Sequence, residues 1–148
     1  MQNIKIALKD GAKMPSSESN EAAGWDVYLH SIKKDFQANN LETRKTYCGL
    51  GISVEIPKGY YLKLVPRSSI TKHEDWVMQN SPGIIDSDFR GEIQMRFISS
   101  SYSDFPYKIG DRIGQLILCK KYDLQWEQVE ALKESQRGKG GFGSTGME

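Results

Sequence analysis

Residues 137–146, R-G-K-G-G-F-G-S-T-G, gather five glycines, two cations, two hydroxyls and one aromatic ring. Glycine has no side chain and costs the most backbone entropy to order, so such a run adds nothing to a packed core. It suits a segment that closes over something. Bare amides and the hydroxyls of Ser144 and Thr145 can wrap phosphate oxygens, Gly143 permits close approach, Arg137 can grip an oxygen pair in a fork, and Phe142 offers a face to a base. Phosphate plus base means a nucleotide. By composition alone the run also fits a disordered terminus or an RNA-binding tail of the RGG kind. It is not a Walker loop, because it lacks the G-K-[ST] order and no strand and helix flank it.

Four further segments carry chemistry-bearing residues. Residues 82–93, P-G-I-I-D-S-D-F-R-G-E-I, read as a hairpin whose tight polar turn holds Asp86 and Asp88. Those carboxylates could bind a cation, act as a general base, or make the side-chain bonds common in turns. Residues 65–70, V-P-R-S-S-I, end a strand and open a short helix within 68–76, with Ser68 or Ser69 as its cap. Amides, hydroxyls and Arg67 meet there in a place favourable to phosphate, although a plain cap beside a surface arginine fits too. Residues 22–28, A-A-G-W-D-V-Y, read as a buried aromatic strand entry, and residues 110–115, G-D-R-I-G-Q, as a turn feeding a strand.

The elements that must position these residues are strands. Ile4, Ile6 and Leu8 alternate with polar neighbours, as do Ile52, Val54 and Ile56, then Tyr60, Leu62 and Leu64, and Ile93, Met95 and Phe97. Residues 112–122 hold a more continuously apolar strand, and a final strand is expected over 126–132. Residues 133–136 then begin a hydrophilic arm that can fold back, stay loose or cross to a neighbouring subunit. Many short strands separated by turns indicate an all-β sandwich or barrel.

At 148 residues the chain fits one domain. Twenty basic against nineteen acidic residues leave a net charge of +1, which offers no global field to hold a nucleic acid. His30 and His73 are not spaced as ligands on one element, and Cys48 and Cys119 read as small buried residues of a reducing, cytoplasmic compartment. No apolar run approaches a membrane span, and the first ten residues lack the pattern of an export signal.

Taken in order, A-A-G-W-D-V-Y, P-R-S-S-I, N-S-P-G-I-I-D-S-D-F-R-G-E-I, G-D-R-I-G-Q-L-I and R-G-K-G-G-F-G-S-T-G resemble the five motifs of the homotrimeric dUTPase family and span nearly the whole chain. The resemblance implies a jelly-roll-like β-subunit over residues 1–136, an arm over 137–148, and a three-fold trimer. Its active sites would lie at subunit boundaries, with the arm donated by another subunit. It implies dUTP as substrate and a Mg2+ ion held mainly by substrate phosphates and water. By position, Asp86 would deprotonate the attacking water while Asp88 holds the hairpin. Arg67, Ser68, Ser69 and Gln115 would bind phosphate, and Asp26 would orient either Arg67 or a metal-bound water. Asn80, the backbone of Gly83, Ile84 and Ile85, and the facing strand at Ile93 and Gln94 would form the uracil pocket. Arg137, Gly143, Ser144 and Thr145 would clamp the phosphates, with Phe142 over the base.

Three positions depart from the family pattern: Phe89 where Tyr is usual, Ser69 where glycine is common, and Gly114 where alanine is common. Phe89 can still pack under the sugar and block a 2′-hydroxyl, but it has no phenol to donate. Trp25 is a large choice for its motif position and bears on packing more than on chemistry. The resemblance implies hydrolysis of dUTP to dUMP and pyrophosphate, which limits uracil incorporation into DNA and supplies dUMP for thymidylate synthesis. Two alternatives on the same fold are a dCTP deaminase and a regulatory protein-binding member of the kind some phages encode. The complete C-terminal arm motif argues against the deaminase.

Overall fold

Period-two alternation becomes an all-β structure in the computed structural model, which describes residues 2–35, 44–73, 75–101 and 103–140. In chain order the strands are β1 (Lys5–Leu8), β2 (Trp25–Tyr28), β3 (Ser31–Asp35), β4 (Arg44–Gly49), β5 (Ile52–Glu55) and β6 (Tyr60–Pro66). After the short 3-10 helix η1 (Ser68–Lys72) come β7 (Trp76–Met78), β8 (Gly83–Ile85), β9 (Gln94–Ser99) and β10 (Arg112–Lys120). One four-stranded sheet runs β2-β10-β6-β8, a second runs β3-β4-β9-β7, and β1 pairs with β5. Every named pairing is antiparallel.

The sheets enclose one core because each strand turns alternate residues inward. On β9 these are Met95, Phe97 and Ser99, on β6 Leu62 and Leu64, and on β4 Thr46 and Cys48. Leu29, Leu50, Ile52, Ile93 and Ile113 complete a fully buried set around Phe97. Each such apolar side chain contributes about 1.5–3 kcal/mol by leaving water. Burial pushes the Cys48 thiol up to about 12, so it packs as an apolar group and is no nucleophile at neutral pH.

Four expectations change. The arms of residues 82–93 do not pair with each other. Instead β8 pairs with β6, whereas β9 pairs with β4 and β7, so the segment crosses from one sheet to the other. The crossing follows from Ile93, which is buried and exchanges backbone bonds with Leu50 and Ile52 rather than with β8. Residues 126–132 form no strand among the described residues, with Trp126 89% and Leu132 87% exposed. A strand needs a neighbour and a surface to pack on, and this chain supplies neither to that segment. Trp25 is 43% exposed instead of buried and lines an apolar groove with Ile4, Ile6, Met14, Leu116 and Leu118. Cys119 is half-buried, its thiol directed at the Ile117 carbonyl at 3.7 Å.

Glu92 ties the 82–93 segment to the body. Its carboxylate accepts hydrogen bonds from the Lys9 ammonium at 2.6 Å and the Gly51 amide at 2.9 Å. A β-carbon on Gly49 would stand 2.7 Å from the same carboxylate and 2.4 Å from the Ser31 hydroxyl, so only glycine fits beneath it. Burial raises the Glu92 pKa, but the bonds from Lys9, Gly51 and Gln94 outweigh it and hold the carboxyl below its ordinary 4.5. The folded value lies below the unfolded one, so its stabilisation is present above about pH 4.5 and lost as pH falls through the lower folded value. Glu92→Gln should therefore cost about 1–3 kcal/mol at pH 7. Urea melts of both proteins should show that difference shrinking in acid; a gap independent of pH would mean the charge is not what Glu92 contributes.

Candidate active site

Asp26 is the second residue of β2 and faces inward, only 2% exposed. A carboxylate so buried must be paired, and three side chains converge on it. Gln115 Nε2 donates to Oδ1 at 2.9 Å, Arg67 Nε lies 3.3 Å from the same oxygen, and Arg112 donates to Oδ2 at 3.1 Å. Strand register makes this possible: Gln115 stands opposite both Asp26 on β2 and Val65 on β6, and β6 delivers Arg67 at its end. Arg112 also pairs with Glu18, on the loop that bridges back to Asp26 through Ser16. The structure thus brings Asp26, Arg67 and Gln115 together. Arg112 was the member that sequence reading passed over, although it lies inside G-D-R-I-G-Q.

Arg67 itself occupies the cap position of η1 in extended conformation, without a side-chain capping bond, so neither Ser68 nor Ser69 is the cap. Ser68 is exposed, and its carbonyl accepts from the Thr71 hydroxyl at 2.8 Å. The Ser69 hydroxyl is buried and has no hydrogen-bond partner among the described residues. Gly114 explains one departure from the family pattern. A β-carbon there would stand 2.6 Å from Met95 Sδ and 2.9 Å from the Val65 carbonyl, too close for alanine.

Asn80 follows β7 and is fixed by both ends of its amide. Nδ2 donates to the Gln94 carbonyl at 3.1 Å, and Oδ1 accepts from the Arg96 amide at 2.8 Å. A β-carbon on Gly83 would stand 3.3 Å from the Asn80 carbonyl, so Asn80, Gly83 and Gln94 lie at one place. Ile84 is exposed and Ile85 packs on the core, as alternation requires. Asp86 follows β8, and its carbonyl accepts from the Phe89 amide at 3.1 Å in a tight turn. That turn is clasped by Arg90, which donates to the carbonyls of Ser87 and Phe89 at 2.8 and 2.9 Å. Asp88 makes no hydrogen bond among the described residues, so Arg90 does the holding expected of it. Phe89 is exposed, its ring over Gly91, where a β-carbon would come within 2.6 Å. Asp86 and Asp88 open onto a groove of about 930 Å³ lined also by Lys58, Tyr61 and Lys121.

Asp86 and Arg67 do not meet within the chain. Leu62 pairs with Ile85, which puts Asp86 at the start of β6, whereas Arg67 follows its end. At ~3.3 Å per residue the two are about 20 Å apart along the strand. Arg137 is distant from both in partnership: it is exposed and donates to its own Gly140 carbonyl at 3.0 Å. Phe142, Gly143, Ser144 and Thr145 lie outside the described residues.

A family model described as dUTPase matches residues 10–146. The chain belongs to the dUTPase family. Curated proteins named deoxyuridine 5′-triphosphate nucleotidohydrolase include one from Helicobacter hepaticus, 36% identical over 98% of this chain and 89% of the relative, and one from Yarrowia lipolytica, 35% identical over 98% and 90%. That of Fusobacterium nucleatum is 34% identical over 97% and 96%. The fold matches the dUTPase of Staphylococcus bacteriophage 80alpha solved with dUpNHpp, at TM-score 0.75 and 21% identity over 99% of this chain and all of that one. The dUTPase of phage phi11, described with a structural Mg(II) ion, matches at TM-score 0.70 and 19% identity over 89% and 99%.

In this dUTPase family member the buried carboxylate is the part of the site with the largest structural consequence. Asp26→Ala would leave Arg67 and Arg112 with only Glu18, on the exposed loop, as a counter-charge. It should cost about 2–4 kcal/mol, less than a fully buried pair because both guanidiniums are partly open to solvent. Asp26→Asn, which keeps an acceptor for Gln115, should cost less. Denaturant titration of both variants checks this, and a neutral alanine variant would contradict it.

Proposed function

We propose that this chain hydrolyses dUTP to dUMP and pyrophosphate, with Asp86 as general base toward the attacking water. The supporting observation is the match to the dUTPase family over residues 10–146, which carries all five motifs in order. This activity would limit uracil incorporation into DNA and supply dUMP for thymidylate synthesis, consistent with a cytoplasmic protein. Among the described residues no helix is long and apolar enough to cross a membrane.

Arg67, the Ser68–Ser69 backbone and Gln115 bind phosphate oxygens in this reading, with Asp26 aligning Arg67 and Gln115 by direct contact. Such preset donors stabilise charge on the leaving pyrophosphate without reorganising. Asn80, Gly83, Ile84, Ile85 and Gln94 read the uracil edge, and fixed backbone groups leave cytosine mispaired. Phe89 packs under the sugar. Among the described residues no three His, Cys, Asp or Glu side chains converge on one point, and both Asp26 oxygens are taken by nitrogen donors. The chain therefore fits a Mg2+ ion held mainly by substrate phosphates and water, where the ion supplies charge neutralisation at the leaving group.

The ~20 Å between Asp86 and Arg67 along β6 supports a homotrimer with shared sites, because a phosphate gripped by Arg67 is out of reach of the same chain's Asp86. The second support is the uncovered apolar segment at Leu124, Trp126, Val129 and Leu132, which as an exchanged segment would gain the packing it lacks here. We assign residues 1–136 to the β-domain and 137–148 to an arm closing over a neighbouring site, with Arg137 and the Phe142, Gly143, Ser144 and Thr145 run as its clamp.

Two outcomes test this reading. Asp86→Asn should lower turnover by about two to four orders of magnitude while nucleotide binding survives. Truncation after Gln136 should abolish catalysis in a folded trimer, and mixed trimers of the two variants should recover part of the activity. Pyrophosphate release from dUTP is the readout, with ammonia from dCTP as the deaminase control. Activity in the truncated protein, or no rescue in verified mixed trimers, would reject arm exchange. For the sugar, Phe89→Ala should raise UTP hydrolysis relative to dUTP, and Phe89→Tyr should not; an unchanged ratio in the alanine variant would put deoxyribose selection elsewhere.

A further inference from the structure

Arg112 Nη1 stands between two carboxylates, Asp26 Oδ2 at 3.1 Å in the buried cluster and Glu18 Oε1, which pairs with it directly from the N-terminal loop. The two acids differ in what the fold demands of them. Asp26 is 2% exposed and must be paired where it sits, whereas the Glu18 side chain is 68% exposed and water would solvate it without Arg112. Arg67 and Gln115 also serve Asp26. Of these charged partners, Glu18 is the one that burial does not require.

The loop that carries Glu18 is nonetheless anchored on both sides of it. Ser16 exchanges both backbone hydrogen bonds with Asp26, at 2.7 and 3.1 Å, and its hydroxyl meets the Tyr28 hydroxyl at 2.7 Å. On the far side the Ala22 amide donates to the Ser19 carbonyl at 3.2 Å, and the Ser17 hydroxyl donates to the same carbonyl. These bonds hold residues 16–22 beside β2, with Glu18 on the solvent side of Arg112 and Asp26 on its buried side. Both guanidiniums stay partly open to solvent, so an anion can reach them there. Two guanidiniums against two carboxylates leave the contacting groups without net charge. An anion arriving at Arg112 must displace the Glu18 carboxylate or sit beside it, and either lowers its affinity.

We propose that Glu18 is an affinity-limiting residue of the phosphate end, competing with phosphate oxygens for Arg112 and so favouring release of pyrophosphate. This rests on the dUTP reading above, which puts phosphate oxygens on Arg67 and Gln115 in the same cluster.

The test uses the full chain as wild type, Glu18→Gln and Glu21→Gln, with inorganic pyrophosphate and dUTP as probes. Glu18→Gln keeps the size of the side chain and removes its charge. Glu21 is exposed on the same loop with no ion pair among the described residues, so its variant controls for surface charge in general. Calorimetric titration should show pyrophosphate affinity rising about three- to fivefold in Glu18→Gln, the size of an exposed ion pair, and by less than about twofold in Glu21→Gln. KM for dUTP should fall with pyrophosphate Kd. Unchanged, weaker or undetectable pyrophosphate binding in Glu18→Gln would overturn the competition, and so would an equal gain in Glu21→Gln. Tighter pyrophosphate with an unchanged KM would uphold the competition but reject this cluster as the place where substrate phosphates bind. Absence of dUTP turnover in the wild type would instead overturn the assigned reaction, and pyrophosphate affinity would still read Glu18 separately.

Discussion

A carboxylate buried between two guanidinium groups is the constraint on which the β2, β6 and β10 end of this protein depends. Asp26 cannot be solvated where it sits, so its charge must be met by Arg67, Arg112 and Gln115. These come from the end of β6 and from β10, and Glu18 adds the N-terminal loop. One buried charge thereby holds three elements in register and aims the side chains that would meet a phosphate. A buried pair of this kind is weak evidence for stability but strong evidence for a preset geometry, because removing either partner leaves an uncompensated charge.

The sheet architecture then divides the chemistry. β6 runs the length of its sheet between Asp86 at one end and Arg67 at the other. The crossing of residues 82–93 from one sheet to the other, pinned by buried Ile93 and by Glu92, turns the carboxylate-bearing turn away from the arginine cluster. A chain folded in this way keeps Asp86 and Arg67 apart. The apolar residues after Lys120, Leu124, Trp126, Val129 and Leu132, stay exposed because they find no cover on their own body.

Much of this was legible in the residues. Alternation at Ile52, Val54 and Ile56 or at Met95 and Phe97 is local information, because successive side chains of a strand point to opposite faces whatever the strand pairs with. The motif order identified the family, and three of its motifs supply Asp26, Arg67 and Gln115, which the structure places in contact. Arg112 was missed because an arginine in a turn looks the same whether it faces solvent or a buried acid. Strands β3 and β4 were missed because Lys33, Lys34, Arg44 and Lys45 break the apolar rhythm, and their pairing is secured by neighbours far along the chain.

What the sequence determined by itself is the set of strands with a clear period of two, the family, and the residue types a triphosphate would need, all properties of short stretches. Tertiary structure decided the partners. It broke the expected 82–93 hairpin between two sheets, gave the work of Asp88 to Arg90, left residues 126–132 without a sheet to join, and set Arg112 against Asp26. Each of these depends on which surface arrives from elsewhere in the chain, and hydrogen-bond and packing energies between distant segments exceed any local preference written in a turn or a run of apolar residues.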